Sequence, residues 1–252
     1  MISNFNYMLF SLVFMRMSGC ILLNPIFGRK NIPIIWKIGL SLMLSYFTYS
    51  LIPDKVIQFS SILVFGIVLV KELMVGFIVG YIMQMFMSVI LTGGDLIDLQ
   101  MGISMAKIYD PQSNVQMPIT ASIINCMFML LFFAANGHVS MIQIFCQLGT
   151  ISPYGDIAFS SNMFKDLVGL FSVILVYSVK LALPILAVEL IIEVGVGLLM
   201  KAVPQINVFI VNIQLKILIG FIIILLLVPS LSTFLELIMN KMFDQIGLVF
   251  GL

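Results

Sequence analysis

An all-α, multi-helix, membrane-associated protein is the fold class this sequence predicts, and three observations predict it. Hydrophobic residues make up 62% of the 252-residue chain and charged residues 9%, against about 45–50% and about 25% in soluble domains. The apolar residues gather into six long segments, each close to or beyond the ~20 residues that cross a hydrocarbon core. Alternation at period two is absent within them, which argues against a barrel. The net charge of +1 gives no sign of a nucleic-acid partner.

The first segment, Phe5–Phe27, carries the first basic residue, Arg16, inside its apolar run. A signal peptide places its basic residues before that run, so the segment reads as retained. "FGRKNIP" then breaks the chain, followed by Ile34–Ile52 and "PDK". Ile62–Leu91 contains Lys71, Glu72 and "GFIVG", a small-xxx-small face that lets backbones approach at Gly76 and Gly80; Gly195 and Gly197 are expected to do likewise. In "TGGDLIDLQMG", Gly93 and Gly94 are expected to break the helix, Asp95 to cap the next, and Asp98 to lie in its first turn. "YDPQSNVQMP" is a loop signal, because Asp110-Pro111 disfavours helix. Met117–Leu148 follows, then "ISPYGD", then Leu167–Met200, in which Pro184 should kink the helix. Ile213–Met239 is the last apolar segment. Arg29, Lys30 and Lys37 cluster in one break, and Lys201 and Lys216 flank another. An outside N-terminus puts both groups on the cytoplasmic side.

Arg16, Lys71, Glu72, Lys180, Glu189, Glu193 and Glu236 lie within the apolar segments. Each costs about 2.5–3.5 kcal/mol at a lipid-exposed helix centre. They must therefore pair, snorkel or line a wet path. Glu189 and Glu193, four apart, share a helical face with Lys201 two turns on. That face fits either inter-helix ion pairs or a proton relay. Cys20, Cys126 and Cys146 read as buried small hydrophobes. The nineteen methionines fit a coding bias or a soft, adaptable lining. With His138 the only histidine, there is no His-based metal cluster or catalytic triad to assemble. A phosphate-binding glycine loop is also absent. No enzyme activity and no cofactor are expected.

Several motifs stand in order along the chain: "FMRMSG" (14–19), "NPIFGRKNIP" (24–33), "LQMGISMAKIYDPQSNVQMP" (99–118), "ANGHVSMI" (135–142), "ALPILAVELIIEVGVGLLMKAVPQINVF" (182–209) and "KILIG" (216–220). Together they resemble the FliR family, export-gate membrane proteins of the flagellar type III secretion apparatus with counterparts in injectisomes. Lys201, where the family usually has arginine, keeps the charge, and Val139 is uninformative. The resemblance implies a non-enzymatic, channel-forming subunit. It would assemble, as one copy, with FliP-like and FliQ-like subunits into a helical hetero-oligomer in the inner membrane, partly raised out of the bilayer in the flagellar basal body. It would meet further export-apparatus membrane proteins there and pass unfolded polypeptide. Residues 1–165 would form a part resembling the larger partner, and 166–252 a C-terminal helical hairpin and tail resembling the smaller.

The resemblance also places a channel plug in the loop 106–117, with Tyr109, Asp110, Pro111, Gln112, Ser113 and Asn114 as candidates. Pro204, Gln205 and Asn207 would form an uncharged, amide-bearing loop at the channel entrance. Arg16, Lys71, Glu72, Lys180, Glu189, Glu193 and Lys201 would be inter-helix charges. An injectisome subunit is the alternative within the resemblance. A secondary transporter with helices broken at Pro184 is the alternative outside it.

Overall fold

A computed structural model describes residues 6–52, 59, 61–104, 108–110, 115–156, 161–202 and 208–250. Among these are eight helices: α1 (Tyr7–Leu22), α2 (Ile34–Leu51), α3 (Ile62–Met101), α4 (Ile119–Ala134), α5 (Gly137–Ile151), α6 (Ser161–Ala202), α7 (Val208–Leu226) and α8 (Val228–Phe250). A short antiparallel hairpin, β1 (Ile108–Asp110) and β2 (Val115–Met117), lies between α3 and α4. Among the described residues the protein is all-α apart from this hairpin. Three helices, α2, α3 and most of α6, are long and apolar enough to cross a membrane. The count rises to five if the bent pairs α4–α5 and α7–α8 each serve as one span.

Helix α3 is the axis of the molecule, and α1, α4 and α6 all pack on it. Glycine sets the α1–α3 approach. A Cβ on Gly19 would lie 2.5 Å from Leu73 O, and one on Gly76 would lie 2.8 Å from Gly19 Cα. One turn further on, a Cβ on Gly80 would lie 2.8 Å from Leu23 Cβ. "GFIVG" is therefore an occupied backbone contact. The pairs 19/76 and 23/80 advance together, so α1 runs parallel to α3. Helix α2 returns antiparallel to α1. Asn6 N donates to Tyr49 Oη at 2.9 Å at one end, and Lys37 Nζ donates to Gly28 O at 2.8 Å at the other.

Several sequence expectations are corrected. Gly93 and Gly94 do not break α3, and Asp95 and Asp98 lie inside it. A Cβ on Gly93 would meet Leu181 Cδ2 at 2.7 Å, and one on Gly94 would meet Ala121 Cα at 2.5 Å. The glycines are notches that seat α6 and α4, and close packing outweighs a propensity cost of ~1 kcal/mol each. The stop comes at Gly102, whose φ of 80° makes the left-handed cap a glycine favours.

The segment 117–148 is two helices bent by 69°. Asn136 turns the chain at φ 55°, and Gly137 packs where a Cβ would meet Phe132 and Met239. The segment 213–239 divides at Leu227 with a 67° bend. Pro229 lacks the N–H that would extend α7 and suits the first turn of α8. Pro184, by contrast, sits on an exposed face within α6, which continues to Ala202. Among the described residues nothing approaches Gly195 or Gly197 closely enough to exclude a Cβ. Cys20 is buried as expected, but Cys126 is exposed and Cys146 half-buried; all three are free thiols.

At 1.5 Å per residue, the 40 residues of α3 extend about 60 Å and the 42 of α6 about 63 Å. Both are about twice the ~30 Å hydrocarbon core. Large apolar side chains stand exposed along α6 from Phe164 to Met200, and along α2 from Ile34 to Leu51.

Candidate functional site

Two polar clusters lie among the apolar helices. The first joins α1, α3 and the turn after α5. Arg16 Nε donates to Glu72 Oε2 at 2.6 Å, and both side chains are 0% exposed. Arg16 Nη1 donates to Leu148 O at 3.0 Å and Ser152 O at 2.8 Å. These are carbonyls at the end of α5, so a cation caps a helix C-terminus. The guanidinium lies 4.0 Å from the centroid of the Tyr154 ring. That ring presses on Gly149, where a Cβ would come within 2.6 Å. Glu72 Oε1 accepts from Gly155 N at 2.9 Å, and Gly155 holds a φ of 93°. Burial pushes the Tyr154 hydroxyl above its ordinary range, against the opposing Arg16 charge, so it stays neutral. Charge is thus balanced within the cluster, and the geometry can clamp four elements together.

The second cluster lies where α6 and α7 pack antiparallel beside the end of α3. Lys216 Nζ reaches Glu193 Oε2 at 3.2 Å, and Gln100 Nε2 approaches the same oxygen at 3.5 Å. One turn away, Glu189 is 0% exposed, and both its oxygens lack a hydrogen-bond partner among the described residues. Gly220 makes room for it: a Cβ there would stand 2.9 Å from Glu189 Oε1 and 2.5 Å from Met101 Cε. Glu193 therefore pairs with Lys216 on the next helix. Lys201, expected to share that role, is exposed on the last turn of α6. Lys71 and Glu236 are exposed, and exposed Lys180 lies 5.5 Å from the Tyr177 ring.

Asp98 has a third role. It is buried on α3 and accepts from Thr120 N at 3.2 Å and from the Thr120 hydroxyl. Pro118 precedes α4 and supplies no side-chain cap, so Asp98 caps α4 from another helix. In the hairpin, Tyr109 pairs with Gln116 and Asp110 with Val115. The described residues of "YDPQSNVQMP" up to Met117 are thus in paired strands and not in a helix. Pro111, Gln112, Ser113 and Asn114 lie outside the described residues, as do Pro204, Gln205 and Asn207. Among the described residues no group of three or more His, Cys, Asp or Glu could hold a metal ion.

Sequence reasoning missed Tyr154, Gly155, Lys216 and the Asp98–Thr120 contact as parts of these clusters. "ISPYGD" and "QLKILIG" carry the residues, but nothing local says which helix each one meets.

The family model described as "Bacterial export proteins, family 1" matches residues 7–242, from the first residue of α1 into α8. A flagellar biosynthetic protein FliR from Bacillus subtilis (strain 168) is 30% identical over 223 residues, 86% of this chain and 84% of the relative. This chain belongs to the FliR family. The FliR of Escherichia coli (strain K12) is 28% identical over 233 residues, 92% of this chain and 89% of its own. That of Aquifex aeolicus (strain VF5) is 27% identical over 215 residues, 82% and 80% of the two chains. The family match over residues 7–242 includes both polar clusters and both bends described above.

Proposed function

We propose that this chain is a channel-forming subunit of the flagellar protein-export gate in the bacterial inner membrane. It passes unfolded polypeptide and performs no covalent chemistry. Family membership supports the export role in flagellar biosynthesis. The observation that carries the subunit reading is the length of exposed apolar surface on α6. From Phe164 to Met200 the exposed side chains extend over about 54 Å. A ~30 Å hydrocarbon core covers that length only at a tilt of roughly 55–60°, beyond the 0–40° range of spanning helices. Protein must cover the remainder, and FliP-like and FliQ-like subunits in a helical hetero-oligomer are the covering partners in this reading.

In the same reading, residues 1–165 form the FliP-like part and 166–252 the FliQ-like hairpin. That boundary falls inside α6, which begins at Ser161. The hairpin between α3 and α4, with Tyr109 to Asn114, is the resting plug, and the loop with Pro204, Gln205 and Asn207 sits at the entrance. The Arg16–Glu72 and Glu193–Lys216 contacts hold the scaffold and do not relay protons. Glu189 is a structural carboxylate seated over Gly220.

Co-expression tests the reading. Made alone, the chain should aggregate or be degraded. Made with both partner subunits, it should purify with them as one discrete complex. A monodisperse lone chain that transports solute in liposomes overturns the subunit reading in favour of a carrier.

A further inference from the structure

The second polar cluster does not balance its own charge. Glu189 and Glu193 stand one turn apart on α6, and Lys216 is the cation that reaches them from α7. Gln100, which approaches Glu193 Oε2, is uncharged. The two carboxylates differ in their surroundings. Glu189 is 0% exposed, and both its oxygens lack a hydrogen-bond partner among the described residues. The Glu193 side chain is 54% exposed, yet it is the one that Lys216 meets. A buried carboxylate left without a partner costs more than an exposed one. The cation therefore rests on the acid that needs it less. Glu189 is about 6 Å further along α6, a distance that the flexible four-carbon stem of lysine covers. Gly220, one turn after Lys216 on α7, keeps that side of Glu189 open.

The outer side of Glu193 has the form of a docking face. Leu190, Val194 and Leu198 stand exposed around it. Gly195 and Gly197 leave open notches beside it, with nothing among the described residues near enough to exclude a Cβ. At the α1–α3 crossing the notches at Gly19 and Gly76 are filled by the facing helix. Small residues on an apolar face let a second helix approach closely in the same way. The surplus carboxylate states what that helix carries. Once Lys216 turns to Glu189, hydrocarbon leaves Glu193 without a partner, at about 2.5–3.5 kcal/mol for a charge at a helix centre.

We infer, given the subunit reading above, that this face of α6 docks a helix of another gate subunit that presents a lysine or arginine to Glu193, and that Lys216 then turns inward to Glu189. Each carboxylate has one cation in the docked state, and the site is neutral. A helix without the cation leaves one carboxylate unpaired, so the face selects its partner by charge as well as by shape.

The complex purified with both partner subunits tests this. Benzoylphenylalanine replaces Val194 in the full chain, the complex is irradiated, and the adducts are mapped by mass spectrometry. They should fall on a partner-subunit helix within about one turn of a lysine or arginine. Glu193→Lys should lower the yield of complex at least about tenfold, and glutamate in place of the mapped cation should restore it. Glu189→Gln should lower the yield comparably, because the cations then outnumber the carboxylates, and glutamine in place of the mapped cation should restore it. Adducts only on lipid, or on a partner segment with no cation in reach, overturn the docking and leave the subunit reading standing. A loss with Glu193→Lys that the exchanged charge does not restore also overturns it, since Glu193 then serves only the fold of its own chain. An unchanged yield with Glu189→Gln overturns it in favour of a proton on Glu189. Failure of the unsubstituted chain to form any complex overturns the subunit reading and the docking with it.

Discussion

Replacing Glu72 by Gln tests whether the buried charge cluster holds the N-terminal helices together. The substitution keeps the volume of the side chain and removes its charge. Arg16 is 0% exposed, so water cannot take the place of the lost carboxylate. Two backbone carbonyls and the Tyr154 ring remain to the guanidinium, and its Nη2 has no hydrogen-bond partner among the described residues. Removing one partner of a buried ion pair costs about 3–5 kcal/mol. That is roughly two to four orders of magnitude in the ratio of closed to opened molecules. Cys20, one turn from Arg16 and 0% exposed, reports the opening.

In a Cys126→Ser, Cys146→Ser background, a thiol-reactive dye labels Cys20 only when α1 separates from α3. Serine at 146 still accepts from the Thr48 hydroxyl, which points at the cysteine sulfur. The labelling rate of the purified complex should rise at least a hundredfold with Glu72→Gln. The double substitution Arg16→Met, Glu72→Leu should cost less than the sum of the two single ones, because it leaves no buried charge. A rise under threefold would equate this pair with exposed ion pairs of 0.2–1 kcal/mol and refute the clamp.

Gly76→Ala should lower the amount of assembled complex several-fold, because its Cβ has no space against Gly19 and the Cys20 backbone; normal yield by quantitative immunoblot counts against the close crossing. Asp98→Ala removes the cap that α3 supplies to α4 and should cost about 1–3 kcal/mol, read as a lower midpoint of thermal unfolding, whereas Ser88→Ala should leave it within experimental error. Deleting residues 108–114 should raise small-solute leakage in cells that assemble the complete channel; unchanged permeability in an intact complex makes the hairpin a connector. Lys216→Ala should loosen the α6–α7 hairpin more than Lys201→Ala, seen as faster backbone hydrogen exchange in α7.

The sequence by itself determined the class of the protein. Apolar runs near 20 residues, few charges and no alternation leave an all-α membrane protein, since backbone groups in lipid must bond within their own helix. It also showed that the charges in those runs had to pair, snorkel or line a wet path, because a lone charge at a helix centre in lipid is costly. The ordered motifs carried the family. Tertiary structure decided which partners met. Glu193 faces Lys216 and not Lys201 because α6 and α7 fold back antiparallel, and helical periodicity describes only one helix at a time. Gly93 and Gly94 look like breakers in a one-dimensional reading; in the fold they are contact surfaces for Leu181 and Ala121. The 69° and 67° bends were hidden for the opposite reason: hydropathy is continuous through 117–148 and 213–239, while a left-handed Asn136 and the missing N–H of Pro229 turn the chain without making it polar. Arg16, Glu72 and Tyr154 are far apart in the chain, and their meeting depends on how α1, α3 and the turn after α5 pack, which no local propensity encodes.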